Sequence, residues 1–319
     1  MTLKYNGNPP EKEINDQFSG WLKELFALDE KIVYLDADLM GCLRVKELWI
    51  QEPQRIFNCG IQEANMVGTA AGLFLAGYKP YIHSFTPFIT RRAYDQIFVS
   101  VAYARKSVHL IGTDAGILAS ANGGTHMCFE DTALIRVIPG SCIVDVTDAA
   151  MFHGMLLSTR DWQGVTYFRT PRRGAPDIYD METDFQVGKG MLLTEGKDVT
   201  IIASGIMVAT ALDAQKKLQA EGISAQVIDP ITIKPLDEDL ILRSVVKTRA
   251  VVTAENHNVI GGLGSAVADL LSEKLPTPMI RVGIQDRFGE TGTVDYLREQ
   301  YGLTVENLVA QVHQVLQRK

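Results

Sequence analysis

Short β-branched apolar runs alternate along the chain with stretches whose apolar residues recur at helical spacing. The runs KIVYLDADL (31–39), KPYIHSF (79–85), SVHLIGTDAG (107–116), SCIVDV (141–146) and VTYFRT (165–170) predict strands. Between them, QEANMVGTAAGLFLAG (62–77), RRAYDQIFVSVAYAR (91–105), FEDTALIRVIP (129–139) and DAAMFHGMLLSTR (148–160) predict helices. Strands that read as nearly continuous apolar runs are covered on both faces. Their alternation with helices predicts a mostly parallel sheet between two helical layers.

The pattern then breaks. From Thr170 to Asp184 the stretch TPRRGAPDIYDMETD carries Pro, Arg and Asp with little periodicity, which marks an interdomain linker. A second alternation follows. Strands are predicted at 199–205, 224–230, 250–256 and 278–284, and helices at 207–222, 237–247, 261–275 and 305–318. The predicted fold class is α/β, with two doubly wound open-sheet domains over 1–172 and 185–319 joined by a linker at 173–184.

A length of 319 residues suits this division at roughly 150 residues per domain. The composition is 46% hydrophobic and 22% charged, enough apolar residue for two cores. A net charge of −7 leaves no basic footprint for nucleic acid or an anionic membrane. Cys42, Cys59, Cys128 and Cys142 form no CxxC pair, which argues against a zinc site or a disulfide framework. The polar N-terminal stretch has no signal-peptide core, and no apolar run approaches the roughly 18 residues of a membrane span. A cytoplasmic protein is expected.

Candidate chemistry starts with Glu63. It opens the 62–77 helix after Gly60, and the turns behind it carry Ala64, Gly68, Ala70, Ala71, Gly72 and Ala76. Small residues at that density permit close packing by a helix or a second subunit. A first-turn carboxylate there is either an exposed cap or a partly desolvated functional acid. His126 follows the Gly123–Gly124 pair; it is a loop histidine or a proton-transfer group. Arg91, Arg92, Arg169, Arg172 and Arg173 could bind oxyanions. Of these, Arg169 ends a predicted strand, where ligands collect in open α/β sheets, while Arg172 and Arg173 read as a solvated loop. The GGLG at 261–264 reads as helix-start packing. The sequence has no P-loop, GxSxG, HExxH or GDG with paired Asn.

The segments YLDADL, FNCGIQEANMVGTAAGLFLAGYKPYIHSF, FITRRAYDQI, GGTHMCFEDTALIRVIPG, YFRTPR and VVTAENHNVIGGLGSAV, in this order, resemble the transketolase family, specifically the small subunit of split transketolases. The resemblance covers about residues 14–319 and is carried most specifically by the segments around Glu63 and His126. It implies thiamine diphosphate as cofactor, with Glu63 hydrogen-bonded to the aminopyrimidine nitrogen and sharing a proton with the ring in a dry site. Phe88 and Tyr94 match the aromatic residues that hold the pyrimidine, with Arg91 standing where a third aromatic is usual, and Asp38 is expected beside the cofactor. His126 matches a histidine near the reacting carbonyl. Arg169 matches an arginine that binds the acceptor phosphate, and His83 is expected among the substrate contacts. No metal ligand is expected in this chain. A partner large subunit would bring the diphosphate- and Mg²⁺-binding domain, giving a heterotetramer with cofactor at the subunit interfaces.

Several substrate positions depart from the family pattern. Asp114 stands for a histidine, Asn122 for an aspartate and Cys42 for a phosphate-holding serine, while a phosphate-binding arginine aligns near Asn15. Together they imply a ketol transferase acting on a sugar other than the usual pentose phosphate. Arg91 and Asp114 are candidates for reading a different sugar or a modified, anionic terminus. The competing readings are a decarboxylating relative, supported by the Arg91 to Gln96 segment, and a non-catalytic α/β module.

Overall fold

The computed structural model describes residues 3–319. Its first sheet holds β1 (Ile32–Asp36), β2 (Ile56–Asn58), β3 (Lys79–Phe85), β4 (Val108–Thr113), β5 (Cys142–Asp145) and β6 (Val165–Thr170). The second holds β7 (Met191–Thr194), β8 (Val199–Ala203), β9 (Ala225–Asp229), β11 (Val251–Asn258) and β12 (Met279–Ile284). One short strand, β10 (Thr232–Lys234), leaves the second half of the chain and joins the first sheet, antiparallel to β5. The orders are β10-β5-β6-β4-β3-β1-β2 and β12-β11-β8-β9-β7. Every pairing is parallel except β10 with β5 and β7 with β9. Each sheet is thus parallel with one antiparallel edge, an arrangement common in doubly wound folds.

β1, β4, β5 and β6 are buried at every position, which explains their mostly apolar sequences. The segment 91–105, expected as one helix, is a 3₁₀ turn at Arg91–Ala93 followed by a π-helical stretch at Gln96–Tyr103. His126 does not open a helix: the next one starts at Asp131. The GGLG segment does pack as a helix start. The backbone N–H groups of Leu263 and Gly264 donate to the buried Glu255 carboxylate, and a Cβ on Gly262 would lie 1.9 Å from Glu255 Oε2. Among the described residues no helix is long and apolar enough to cross a membrane.

Polar contacts bind the two halves and the linker. Asp229, at the end of β9, accepts from Thr147 Oγ1 (2.6 Å) in the first half and from Tyr179 Oη (2.9 Å) in the linker. Burial pushes its carboxyl up to about 7, against the pull of those hydroxyl donors. A carboxyl raised in the folded state from 3.8 holds its proton there while the unfolded chain has lost it. Its contribution is therefore complete below about pH 4 and is lost as the pH rises through about 7. Asp229→Asn is expected to keep the pH 5 stability and to flatten the decline toward pH 8, by on the order of 2 kcal/mol. Thermal melts at both pH values check this; an unchanged slope counts against it.

Candidate active site

The candidate residues gather at the carboxyl ends of the parallel strands of the first sheet, where open α/β sheets bind ligands. Gly60, at φ 71°, turns the chain out of β2 so that Glu63 begins the helix Glu63–Leu75. Glu63 is 1% exposed. Its Oε1 accepts from Ser84 Oγ (2.9 Å) near the end of β3, and its Oε2 accepts from Arg92 Nη1 (2.8 Å). The guanidinium carbon of Arg92 lies 3.9 Å from the centre of the Phe88 ring. His126 packs its ring edge-on against Phe88 (5.0 Å) and Phe85 (6.0 Å), and its Nδ1 is 2.9 Å from Thr125 Oγ1.

The loop carrying His126 is clamped by the second half of the chain. A Cβ on Gly123 would meet Thr291 Oγ1 at 2.4 Å, and one on Gly124 would meet the Gly289 carbonyl oxygen at 2.4 Å. The glycine pair is therefore required by close approach and, at Gly123, by a φ of 73°.

A second cluster adjoins the first. Asp114 follows β4 in a left-handed conformation (φ 58°) and forms a two-point pair with Arg172, Nε to Oδ1 and Nη2 to Oδ2, both 2.7 Å. The Arg172 guanidinium also lies 5.6 Å from the Phe85 ring. Cys42 is partly buried; burial raises its thiol pKa, the positive charge of Arg172 opposes the rise, and Asp114 adds to it. Asn15 is buried, donates its backbone N–H to the Arg172 carbonyl (3.2 Å), and leaves its side-chain oxygen without a partner. Three of the diverged positions, Asn15, Cys42 and Asp114, thus converge on Arg172.

Two expected substrate contacts, Arg169 and His83, lie inside the protein with internal partners. Arg169 is 1% exposed and its guanidinium is fully engaged: Nε donates to Asp131 (2.8 Å), Nη1 to Asp145 (3.3 Å) and Nη2 to the Asn256 carbonyl (2.5 Å). Burial alone would depress its pKa, but the two carboxylates reverse that and fix the charge. His83 is fully buried in the middle of a polar chain, with Nδ1 2.8 Å from Asp36 and Nε2 3.1 Å from Thr113. Both ring nitrogens are occupied because β3 runs between β1 and β4.

The remaining candidates lie further from the group. Tyr94 makes its ring contact with Phe98 (6.2 Å), not with Phe88. Arg91 pairs with Glu130 (2.5 Å) on the surface. Asp38 is exposed, left-handed at φ 63°, and accepts from Asn58 (3.0 Å). Asn122 is exposed at the end of the 3₁₀ helix Gly116–Asn122. Sequence reasoning named Arg92 and Arg172 among five possible oxyanion binders but gave the site roles to Arg91 and Arg169; the arginines that touch the site are Arg92 and Arg172. No spacing distinguishes either from its neighbour.

The arrangement suits a flat, hydrogen-bonding ring. A buried carboxylate oxygen faces an aromatic plane, and a planar guanidinium already lies between them, bonded to one and stacked on the other. Among the described residues no cluster of His, Cys, Asp or Glu could hold a metal ion.

Comparison with known proteins identifies the family. Residues 12–177 match the family described as "Transketolase, pyrimidine binding domain", and residues 188–308 match "Transketolase, C-terminal domain". The chain is 47% identical over 309 residues to the 6-deoxy-6-sulfo-D-fructose transketolase subunit SqwH of Clostridium sp. (strain MSTE9), covering 97% of this chain and 96% of that one. It is 38% identical to a putative transketolase C-terminal section of Methanocaldococcus jannaschii, covering 93% and 94%. A solved structure titled "Split gene transketolase, inactive beta4 tetramer" superposes with a TM-score of 0.89 at 42% identity, covering 96% and 98%.

Proposed function

Because this chain belongs to the transketolase family, we propose that it is the pyrimidine-binding subunit of a two-chain, cytoplasmic transketolase moving a two-carbon ketol unit from an anionic-terminus ketose to an aldose. The observation that carries this reading is the convergence of Glu63, Phe88 and His126 on one pocket at the strand ends. Thiamine diphosphate, when bound, supplies the carbanion-stabilising chemistry that ketol transfer needs. Glu63 would share a proton with the pyrimidine ring nitrogen, donating it across a hydrogen bond in a water-poor site. Phe88 gives the ring a face to lie on. His126, at the same aromatic wall, donates to the substrate oxygen on which negative charge develops.

A partner chain would carry the diphosphate and Mg²⁺. It covers the exposed face where Ile61, Leu75 and Tyr103 (76%, 73% and 82% exposed) flank the glycines of the Glu63–Leu75 helix. An apolar face of that kind on a soluble chain marks an interface. The completed assembly is a heterotetramer.

The substrate terminus is read by Arg172. Asp114 fixes its fork with two hydrogen bonds, leaving the other N–H donors free for an oxyanion. A sulfonate, as in the substrate named for the Clostridium relative, suits this arginine as well as a phosphate does. Arg91, paired with Glu130, and Asn122 line the outer approach.

The test is ketol transfer by the reconstituted pair, with 6-deoxy-6-sulfo-D-fructose and with xylulose 5-phosphate as donors and ribose 5-phosphate as acceptor. The sulfonated donor is expected to turn over faster. Arg172→Ala is expected to raise its KM roughly 10- to 100-fold, the worth of a charge-assisted hydrogen bond. Robust transfer from xylulose 5-phosphate would sink the substrate assignment, and no transfer from any ketose would sink the activity.

A further inference from the structure

Arg92 occupies both places that a pyrimidine ring would need. It donates to Glu63 Oε2 at 2.8 Å, taking the carboxylate oxygen that Ser84 leaves open. Its guanidinium also lies 3.9 Å over Phe88, covering the ring face. Its neighbour Arg91 is paired elsewhere, with Glu130, so the two arginines of this turn have separate tasks.

We propose that Arg92 is a displaceable latch on the cofactor site: in the unloaded chain it stands in for the pyrimidine, and it must leave Glu63 and Phe88 before the ring can bind. This rests on the reading of Glu63 and Phe88 as the pyrimidine face. Glu63 is buried, and a buried carboxylate without a partner is strongly unfavourable. A subunit waiting for its partner therefore needs a counter-cation there. A planar one that stacks as well as pairs fills the slot against water and other ligands. The side chain of Arg92 is 44% exposed, so it can swing into solvent without unpacking the core. Without it Glu63 keeps its bond from Ser84 Oγ, and the ring no longer has a guanidinium to displace.

The measurement is calorimetric titration of the two-chain complex with thiamine diphosphate at saturating Mg²⁺, for the wild type, Arg92→Ala and Arg92→Lys. Arg92→Ala is expected to bind roughly five- to thirty-fold tighter, the sum of an exposed ion pair and an exposed cation–π contact. Arg92→Lys keeps the charge but loses the plane, and is expected to fall between. Equal or weaker binding by Arg92→Ala, with the wild type binding normally, overturns the latch and leaves the cofactor assignment standing. No binding by the wild-type complex overturns the cofactor assignment, and the latch with it. A melt of each isolated variant confirms that it is folded before titration.

Discussion

Replacing Glu63 by alanine in the assembled enzyme is expected to lower turnover about 10²- to 10⁴-fold, the usual worth of a positioned proton-transfer group. The fold should survive. Glu63 makes its hydrogen bonds to Ser84 Oγ and to Arg92, and both donors have somewhere to go: the hydroxyl can rotate, and Arg92 is already half in water. Loss of rate with an unchanged melting temperature is therefore the expected signature. Glu63→Gln sharpens it. Glutamine keeps the shape and can still accept from Ser84, but it cannot hold the shared proton, so its rate should fall nearly as far. Turnover by Glu63→Ala within a factor of a few of wild type would remove the central catalytic assignment.

The architecture was readable wherever burial imposed a pattern. β1, β4, β5 and β6 are covered on both faces, and their sequences are mostly apolar. The two antiparallel edge strands were not readable. β10 is three residues with a lysine, and β7 is mostly half-buried, so neither carries a run or an alternation long enough to notice. The helix Ile14–Leu28 was legible, since Ile14, Phe18, Trp21, Leu22, Leu25 and Phe26 fall at helical spacing, yet it is missing from the expected elements.

The site shows a different limit. Motif spacing reached Glu63, Phe88 and His126, which the fold does bring together. It could not choose between adjacent arginines. Arg91 and Arg92 sit in one 3₁₀ turn, and only the turn geometry sends one to Glu130 and the other to Glu63. The same holds for Arg169 and Arg172. β6 ends at Thr170, so Arg169 is still in the sheet and points into the protein, while Arg172 lies beyond it and reaches Asp114. A strand end is a reliable place to look for a ligand-binding arginine, but the face on which its side chain emerges is set by the sheet.

That distinction makes Arg169 the second large effect. Its guanidinium neutralises Asp131 and Asp145, both buried in the first half, and donates to the Asn256 carbonyl of the second. Tyr167 and Ser204 complete the network through the same two carboxylates. Arg169→Met strands two carboxylates away from water, and breaking such a buried pair costs about 3–5 kcal/mol. A domain is typically stable by only about 5–15 kcal/mol, so much of the chain should unfold or lose the docking of its two halves. Urea unfolding of the isolated chain measures the loss. Adding Asp131→Asn and Asp145→Asn to Arg169→Met should recover part of it, because the stranded charges are then gone. Arg169→Lys separates structure from recognition: one ammonium cannot replace three directed donors, so stability should fall while the donor KM of whatever folds stays near wild type. A folded, stable Arg169→Lys with a KM raised tenfold or more would return Arg169 to the substrate and take the terminus away from Arg172.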